Sequence, residues 1–263
     1  MTIRTVVATR YVTPLREGGS LPAIVEADDD GMYVVKFRGA GQGTKALIAE
    51  LVAGEIGRAL GLPVPEIVFI ELDPALAQAE PDPEIQDLLR ASAGLNLALD
   101  YLPGALAFTP VAGPRLDPDL AASVVWFDAY VTNVDRTPRN PNLLLWHHRL
   151  WLIDHGAALY VHHTWRDPME RARSPFPMIR EHVLLPFAGS VLAVDAVLRS
   201  RLTPTVIDTI LGAIPDPWLE GEPLFASPEM HRAAYRSYLL ERLAAAPIFV
   251  EESERARIAT RAV

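Results

Sequence analysis

The sequence predicts an α+β fold in which a small antiparallel sheet with one main helix precedes a mostly helical second half. Short runs rich in β-branched and aromatic residues occupy the first third, and one long run with helical spacing follows them. The Pro103-Gly104 pair then separates this part from a region dominated by helical patterns. We therefore expect two lobes, residues 1–102 and residues 103–263.

The sheet is predicted from three runs in the first 37 residues. TVVATRYV and PAIVEA come first, and the acidic turn DDDG leads to MYVVKF. The run TKALIAELVAGEIGRALG then carries apolar residues at helical spacing, and Gly61 and Pro63 end it. GLPVPEIVFIELD supplies a further strand. These patterns indicate one amphipathic helix packed against an antiparallel sheet.

The second half contains helical patterns around one hairpin. DPDLAASVVWFDAYVTN predicts a buried helix that begins near Asp117, and NLLLW and RLWLID predict two short strands. HRAAYRSYLLERLAAA predicts an amphipathic helix. The charged EESERARIATRAV predicts a solvated helix or tail.

The composition excludes several classes of function. The 263 residues include no cysteine, which excludes disulfides, thiolate metal ligands and a thiol nucleophile. The formal charge of -9 disfavours electrostatic capture of nucleic acid or of an anionic membrane. The N-terminus lacks the apolar core of a signal peptide, and no apolar stretch is long enough to span a membrane. We expect a cytoplasmic protein.

The segment NVDRTPRNPNLLLWHHRLWLIDHG holds the residues that point to chemistry. Asp135 and Asn140 lie five residues apart in a loop, and Asp154 follows a hairpin. Phosphoryl transfer from ATP needs a carboxylate that orients or deprotonates the attacking hydroxyl. It also needs a carboxylate and an amide oxygen that hold Mg²⁺. We assign Asp135 to the first role, and Asn140 with Asp154 to the second. These intervals match the protein-kinase pattern H-R-D-x-x-x-x-N followed by D-F-G.

Charged residues elsewhere complete the candidate site. Lys36 is the lone charge inside the run YVVKF, where a buried lysine needs phosphate or a carboxylate. The next helix offers Glu50 and Glu55, and helical periodicity favours Glu55 because it falls in the apolar stripe. Arg139 is a cation placed to neutralise the transferring phosphoryl group. The alternatives are a snorkelling edge-strand lysine for Lys36, a solvated arginine for Arg139, and ordinary turn residues for Asp135 and Asn140.

Two glycine-containing loops are candidates for contact with phosphates. REGGSLP, which contains Gly18, Gly19 and Ser20, joins the first two strands. RGAGQGTK follows Lys36 and opens the helix, but its T-K order departs from the P-loop pattern. Ser20 is also a candidate for self-phosphorylation or a simple turn residue. The chain has neither a G-x-S-x-G elbow nor an H-E-x-x-H zinc motif, although several histidines cluster between His147 and His163.

With these motifs the chain resembles the HipA-like kinases. The resemblance is carried by GGSLPAIVEADDDGMYVVKF, AELVAGEIGRALGLPVPE, DAYVTNVDRTPRN and LIDHG, over about the first 160 residues. It implies a bilobal protein-kinase-like fold that uses ATP and Mg²⁺ to phosphorylate a hydroxyl. His155 stands where eukaryotic kinases carry phenylalanine.

The resemblance also implies roles for individual residues. Asp135 matches the catalytic aspartate, Asn140 and Asp154 match the metal ligands, and Lys36 matches the lysine that contacts the phosphates. It favours Glu50 over Glu55 as the partner of Lys36, against the periodicity. The backbone that receives the adenine would be Asp100, Tyr101 and Leu102.

The function that these residues predict is that of an ATP-dependent kinase whose acceptor is Ser or Thr of a protein. A small-molecule phosphotransferase of the same fold and a nucleotide-binding scaffold without turnover are the alternatives. We expect no direct binding of nucleic acid and no membrane association. The sequence does not identify the acceptor or the oligomeric state.

Overall fold

The fold class is mixed α+β, as the sequence predicts. The computed structural model describes residues 2–15, 21–41, 43–110 and 116–261. Its strands are β1 (Thr5–Pro14), β2 (Ala23–Ala27), β3 (Met32–Lys36), β4 (Ile67–Leu72), β5 (Gly94–Asp100), β6 (Leu106–Ala107), β7 (Leu143–Trp146) and β8 (Arg149–Leu152). Its α-helices are α1 (Thr44–Ala59), α2 (Pro83–Ala91), α3 (Pro118–Val131), α4 (Pro168–Ala172), α5 (Val191–Arg201), α6 (Pro204–Gly212), α7 (Asp216–Leu219), α8 (Pro228–Ala244) and α9 (Ala246–Arg261).

The N-terminal strands form a closed barrel in the order β1-β2-β3-β5-β4. The expectation of a purely antiparallel sheet is wrong for one pair, because β1 runs parallel to β4 and pairs Thr5 with Phe69. Register shifts after Ala8 and after Tyr11 interrupt the pairing of β1 with β2. Such irregularities bend a strand. The start of β1 therefore pairs with β4 and the rest with β2, which closes the barrel.

Strand β3 places Lys36 outside the barrel. Tyr33 and Val35 are buried among the residues that fill the barrel, whereas Lys36 alternates to the other face. Lys36 pairs with Leu97 of β5, which belongs to the core cluster that contains α1. Strand alternation thus directs this lysine toward α1 and the C-terminal half.

Helix α1 is buried on nearly all of its faces. Every residue from 47 to 57 is buried, including Glu50 and Glu55. The helix packs in one hydrophobic cluster with β5 and with the C-terminal helices. Gly54 allows the close approach to the barrel, because a Cβ at this position would collide with the side chain of Ile67. Since this cluster crosses residues 102 and 103, the division into two lobes there stays a prediction.

The C-terminal half begins with α3 where the sequence predicts it. Asp117 caps the helix by accepting a hydrogen bond from the N–H of Asp119, and Pro118 occupies the first turn. Strands β6, β7 and β8 form a three-stranded sheet. No helix within the described ranges is long and apolar enough to cross a membrane.

The expectation of a solvated C-terminal segment is wrong for part of α9. Glu252, Ser253 and Glu254 are buried, and the helix packs against α3 and α5. The two carboxylates are buried because they form ion pairs, Glu252 with Arg180 and Glu254 with Arg257. The presence of charged residues in a helix does not show whether they contact solvent or form ion pairs with arginine in the interior.

A buried arginine joins three helices of this half. Arg242 of α8 is fully buried and donates hydrogen bonds to carbonyls in the last turns of α3 and α4. The final carbonyls of a helix have no partner within that helix. Arg242 therefore satisfies groups that burial would otherwise leave without hydrogen bonds.

We expect Arg242→Met to lower the free energy of unfolding by about 3 kcal/mol, because it strands several buried carbonyls. Urea unfolding of the full chain measures the change. Arg90→Met, at an exposed position on α2, is the matched control and should change stability by less than about 1 kcal/mol. Equal effects of the two substitutions would contradict the capping role of Arg242.

Candidate active site

Lys36 connects the barrel to the segment that follows β8. Its Nζ lies 2.6 Å from Oδ1 of Asp154 and 3.8 Å from Oε2 of Glu50. The Lys36 side chain is 12 % exposed and that of Asp154 is 40 % exposed. The ion pair therefore lies at the boundary between the buried core and solvent, with the carboxylate of Asp154 on the accessible side.

The charges of this cluster stabilise one another. Burial acts to lower the pKa of Lys36, but the carboxylates of Glu50 and Asp154 outweigh it, so the pKa lies above its ordinary value. Burial acts in the opposite direction on Glu50, yet Lys36 and the hydrogen bonds from His155 hold the pKa of Glu50 at about 2. Lys36 and Glu50 are both charged at neutral pH.

Glu50, and not Glu55, is the partner of Lys36. Glu55 lies 3.5 Å from Nε of Arg58 on its own helix, and burial raises its pKa. The periodicity argument for Glu55 fails because α1 is buried on nearly every face, so membership in an apolar stripe does not distinguish the two glutamates. The resemblance, which favours Glu50, agrees with the geometry.

His155 makes two contacts with the carboxylate of Glu50. The backbone N–H of His155 donates to Oε2 of Glu50 at 2.8 Å, and its ring Nδ1 lies 3.2 Å from Oε1. The imidazole is fully buried and packs edge-on against Phe127. Sequence reasoning noted only that His155 occupies a phenylalanine position. The usable signal was a polar ring directly after Asp154 in an otherwise apolar strand end.

The loop after α3 brings Asp135 and Asn140 together. Nδ2 of Asn140 donates to Oδ2 of Asp135 at 2.7 Å, and Nδ2 of Asn142 donates to the same oxygen at 3.3 Å. The backbone N–H of Asp135 donates to Oδ1 of Asn133. Because the amide of Asn140 uses its N–H₂ on Asp135, its Oδ1 is the atom available to accept or to ligate. Asn133 and Asn142 were not predicted as site residues.

A buried ion-pair network supports this loop from beneath. Asp128 of α3 is fully buried, and its Oδ2 accepts from Nε of Arg136 at 2.6 Å and lies 2.8 Å from Nε2 of His182. Nη1 of Arg136 in turn donates to the carbonyl of Ile153, directly before Asp154. Burial would raise the pKa of Asp128, but Arg136 and His182 hold that pKa below its ordinary value. The network thus fixes Asp135 and Asp154 to one buried carboxylate.

In the segment expected to receive adenine, one of the three backbone N–H groups has no hydrogen-bond partner among the described residues. The N–H of Asp100 donates to the carbonyl of Glu66, and the N–H of Tyr101 donates to that of Met32. Among the described residues, the N–H of Leu102 has no hydrogen-bond partner. Of the three amides, only this one is available to a ligand.

The two glycine-containing loops differ in how far the structure describes them. Gly18, Gly19 and Ser20 lie outside the described residues. In the second loop, α1 begins directly after Gly43, whose φ of +63° is one that glycine adopts without strain. Lys45 forms an ion pair with Glu222 at 2.8 Å. This lysine is therefore engaged with the C-terminal half and does not act as a P-loop lysine.

Arg139 stands apart from the other candidates. Its side chain is exposed, and it forms no ion pair or hydrogen bond with any residue in the described ranges. The histidines of the predicted cluster also separate: His147 and His148 are exposed in the turn between β7 and β8, whereas His162 is buried against Tyr235. In the described part of the chain, no three His, Asp or Glu side chains form a metal cluster.

The residues present fit a magnesium-bound nucleotide. Mg²⁺ is commonly held by one or two carboxylates together with substrate phosphates, without a dedicated protein cage. Asp154 offers a half-exposed carboxylate at a backbone φ of +54°, and Asn140 offers an amide oxygen. A left-handed φ is uncommon outside glycine and often marks functional sites. These are hard oxygen donors of the type Mg²⁺ prefers.

A family match decides the affiliation of the chain. Residues 9–246 match the family described as HipA-like kinase. The chain belongs to the HipA-like kinase family. The resemblance drawn from the sequence motifs is thereby confirmed. HipA-like kinases are phosphotransferases, so the general activity is phosphoryl transfer. No curated protein sequence matches the chain.

Three solved kinase structures are similar to this chain, and one of them, CtkA, shares its fold. The crystal structure of CtkA, a proinflammatory kinase of Helicobacter pylori, matches with a TM-score of 0.56 at 13 % identity, covering 98 % of this chain and 99 % of CtkA. The Golgi casein kinase with Mn/ADP bound gives a TM-score of 0.49 at 12 % identity, with 98 % and 74 % coverage. A second structure of the Golgi casein kinase gives a TM-score of 0.47 at 12 % identity, covering 99 % of this chain and 75 % of the other. The likeness to CtkA concerns the fold alone.

We expect Asp128→Asn to lower the free energy of unfolding by about 3 kcal/mol at pH 7, because it leaves Arg136 buried without its counter-charge. A depressed carboxyl pKa stabilises the folded state above the unfolded pKa and loses that effect as pH falls. The difference from wild type should therefore narrow below about pH 4.

Urea unfolding at neutral and acidic pH measures this difference. Asp208→Asn removes an exposed ion pair with Arg236 and is the matched control, with an expected change below about 1 kcal/mol. A deficit of the Asp128 variant that stayed constant down to pH 3 would contradict the electrostatic account.

Proposed function

We propose that this HipA-like kinase transfers the γ-phosphoryl group of ATP to a hydroxyl, with Ser or Thr of a protein as acceptor. The observation that carries the proposal is the ion pair between Lys36 and Asp154, backed by Glu50. It joins a lysine of the barrel to a carboxylate beside the loop of Asp135. Kinases use such a lysine on the phosphates and such a carboxylate on the metal.

We assign nucleotide binding to residues on both sides of the ion pair between Lys36 and Asp154. Lys36 contacts the α- and β-phosphates, and the N–H of Leu102 hydrogen-bonds the adenine. Asp154 and Asn140 are the residues that would hold Mg²⁺. When bound, Mg²⁺ neutralises charge on the phosphates. Asp100 and Tyr101 shape the same segment through backbone bonds that they already make.

Asp135 is assigned to the acceptor hydroxyl. In the transfer, a bond forms between the acceptor oxygen and the γ-phosphorus, and the bond from that phosphorus to the β-phosphate oxygen breaks to release ADP. The acceptor proton passes to the carboxylate of Asp135. Asn140 and Asn142 both donate to Oδ2 of Asp135, and Oδ1, which has no hydrogen-bond partner among the described residues, faces the hydroxyl.

We expect Asp135→Asn to lower phosphoryl transfer by about 10²- to 10⁴-fold while Mg-ATP binding persists, because a general base contributes in that range. Mass spectrometry after incubation with Mg-ATP detects transfer to the chain itself or to an added protein mixture. Calorimetry measures binding.

Asp208→Asn, on the surface of α6, is the control and should transfer as wild type does. Transfer to an added metabolite, but to no protein, would favour a small-molecule phosphotransferase. Binding of Mg-ATP without transfer by wild type would indicate a scaffold, and equal transfer by wild type and Asp135→Asn would refute the role of Asp135.

We expect His155→Phe to reduce kcat/KM for ATP by about tenfold, the equivalent of one charge-assisted hydrogen bond to Glu50. Phenylalanine keeps the ring against Phe127 but removes the contact with Oε1. Because Glu50 orients Lys36, most of the loss should appear in KM for ATP. His163→Phe, at a half-buried position that does not touch Glu50, is the control. A loss confined to thermal stability would show that His155 serves packing alone.

A further inference from the structure

A second cavity adjoins the loop of Asp135. It is open to solvent, has a volume of 590 Å³, and is lined on one side by the loop residues Thr137, Pro138 and Arg139. The segment from Arg180 to Pro186 forms another wall. None of the residues that bind the nucleotide in the proposed function, Lys36, Leu102, Asn140 and Asp154, lines this cavity. It is therefore separate from the proposed nucleotide site.

The cavity wall is fixed to the loop next to Asp135. The N–H of Val183 donates to the carbonyl of Arg136, which directly follows Asp135. His182 contacts Asp128 through Nε2, and its Nδ1 accepts from the N–H of Leu184. Because both ring nitrogens are engaged, His182 is a part of the wall and is not free to bind a ligand. A molecule in the cavity would lie beside the proposed transfer site in a defined position.

The charge of the cavity differs from that of the whole chain. Arg139 is exposed and has no charge partner in the described parts of the chain. Arg180 lies 2.7 Å from Glu252, but this carboxylate also pairs with Arg255 at 2.7 Å, so two guanidinium groups share it. Glu181 contributes one exposed carboxylate to the rim. The whole chain carries a formal charge of -9, so Arg139, which has no charge partner among the described residues, adds positive charge to an otherwise acidic protein at this position.

Size and charge together indicate the kind of group that fits. Cavities of about 300 to 1,000 Å³ accept a small molecule or a few side chains. Guanidinium groups bind carboxylate and phosphate through paired, parallel hydrogen bonds. Arg139 lies four residues after Asp135 on the same loop. An acidic side chain bound there belongs to a residue close in sequence to the acceptor hydroxyl.

We infer that this cavity is an acceptor subsite, and that the kinase selects peptides with an acidic residue within a few positions of the Ser or Thr. The inference rests on the proposed function and names the acceptor class for it. Arg139 binds the acidic side chain, and Arg180 supports it from the opposite wall. Arg139 thus acts on the acceptor rather than on the transferring phosphoryl group.

The test uses the full chain with Mg-ATP and three matched series of serine peptides, flanked by Glu, by Gln or by Lys. The readout is the ratio of kcat/KM for the Glu series to that for the Gln series, in which any general loss of activity cancels. The variants are Arg139→Glu and the milder Arg180→Gln. Arg90→Glu, an exposed arginine of α2 remote in sequence from the cavity walls, is the matched control.

Wild type and Arg90→Glu should prefer the Glu series by about tenfold, the effect of one charge-assisted contact. Arg139→Glu should bring the ratio below one and make the Lys series the best acceptor, and Arg180→Gln should reduce the ratio. A wild-type ratio near one, or a ratio that both cavity variants preserve, overturns the inference.

Phosphorylation of no peptide by wild type also overturns the inference. The proposed function then stands if phosphate transfer to the chain itself or to a protein mixture persists and is lost in Asp135→Asn. It fails with the inference if no such transfer occurs.

Discussion

The ion pair of Lys36 with Asp154 and Glu50 is the contact on which the arrangement of the candidate site depends. A lysine on a barrel strand, a glutamate on α1 and an aspartate after β8 are far apart in the chain, and their opposite charges explain why these polar groups lie together at the edge of the core. The charge of each partner offsets the desolvation cost of burying the charges of the others. Loss of one partner would leave the charge of another at a largely buried position without its counter-charge.

Helix α1 makes that contact possible. Because it is buried on nearly every side, it packs against the barrel and the C-terminal helices at once. Its Glu50 contacts Lys36 through Oε2 and His155 through both carboxylate oxygens. The histidine therefore transmits the position of α1 to Asp154, its neighbour in sequence. A phenylalanine in that position would keep the backbone hydrogen bond but would lose the ring contact with Oε1 of Glu50.

A second buried charge cluster, Asp128 with Arg136 and His182, supports the same site from the C-terminal side. It holds the loop of Asp135 and the strand end before Asp154 to α3. The wall of the second cavity belongs to this cluster as well, through His182. The nucleotide side and the proposed acceptor side are thus both connected to Asp128 of α3.

The sequence predicted the elements that have a local cause. Strands β1 to β4, β7, β8 and helix α1 follow from residue type and spacing, and α3 begins at the cap that Asp117 provides. Strands β5 and β6 were not predicted. The parallel pairing of β1 with β4 has no local signal, because it depends on a bend in β1.

The site residues also separate into those with a local sequence signal and those without one. Asp135, Asn140 and Asp154 stay predictions from their intervals, and the structure brings Asn140 to Asp135 and Asp154 to Lys36. The choice between Glu50 and Glu55 was not recognisable from spacing, because both are buried. His182 lies 54 residues after Asp128, and no pattern in the sequence connects them.

The most direct measurement of the central claim uses the fact that the chain contains only two lysines, Lys36 and Lys45. An acyl-phosphate derivative of ATP acylates amines that contact its phosphates, and peptide mass spectrometry then identifies the labelled residue. The account predicts labelling of Lys36 that excess Mg-ATP prevents, with Lys45 spared because Glu222 engages it. ATP-protected labelling of Lys45, or labelling of Lys36 that ATP does not reduce, would contradict it.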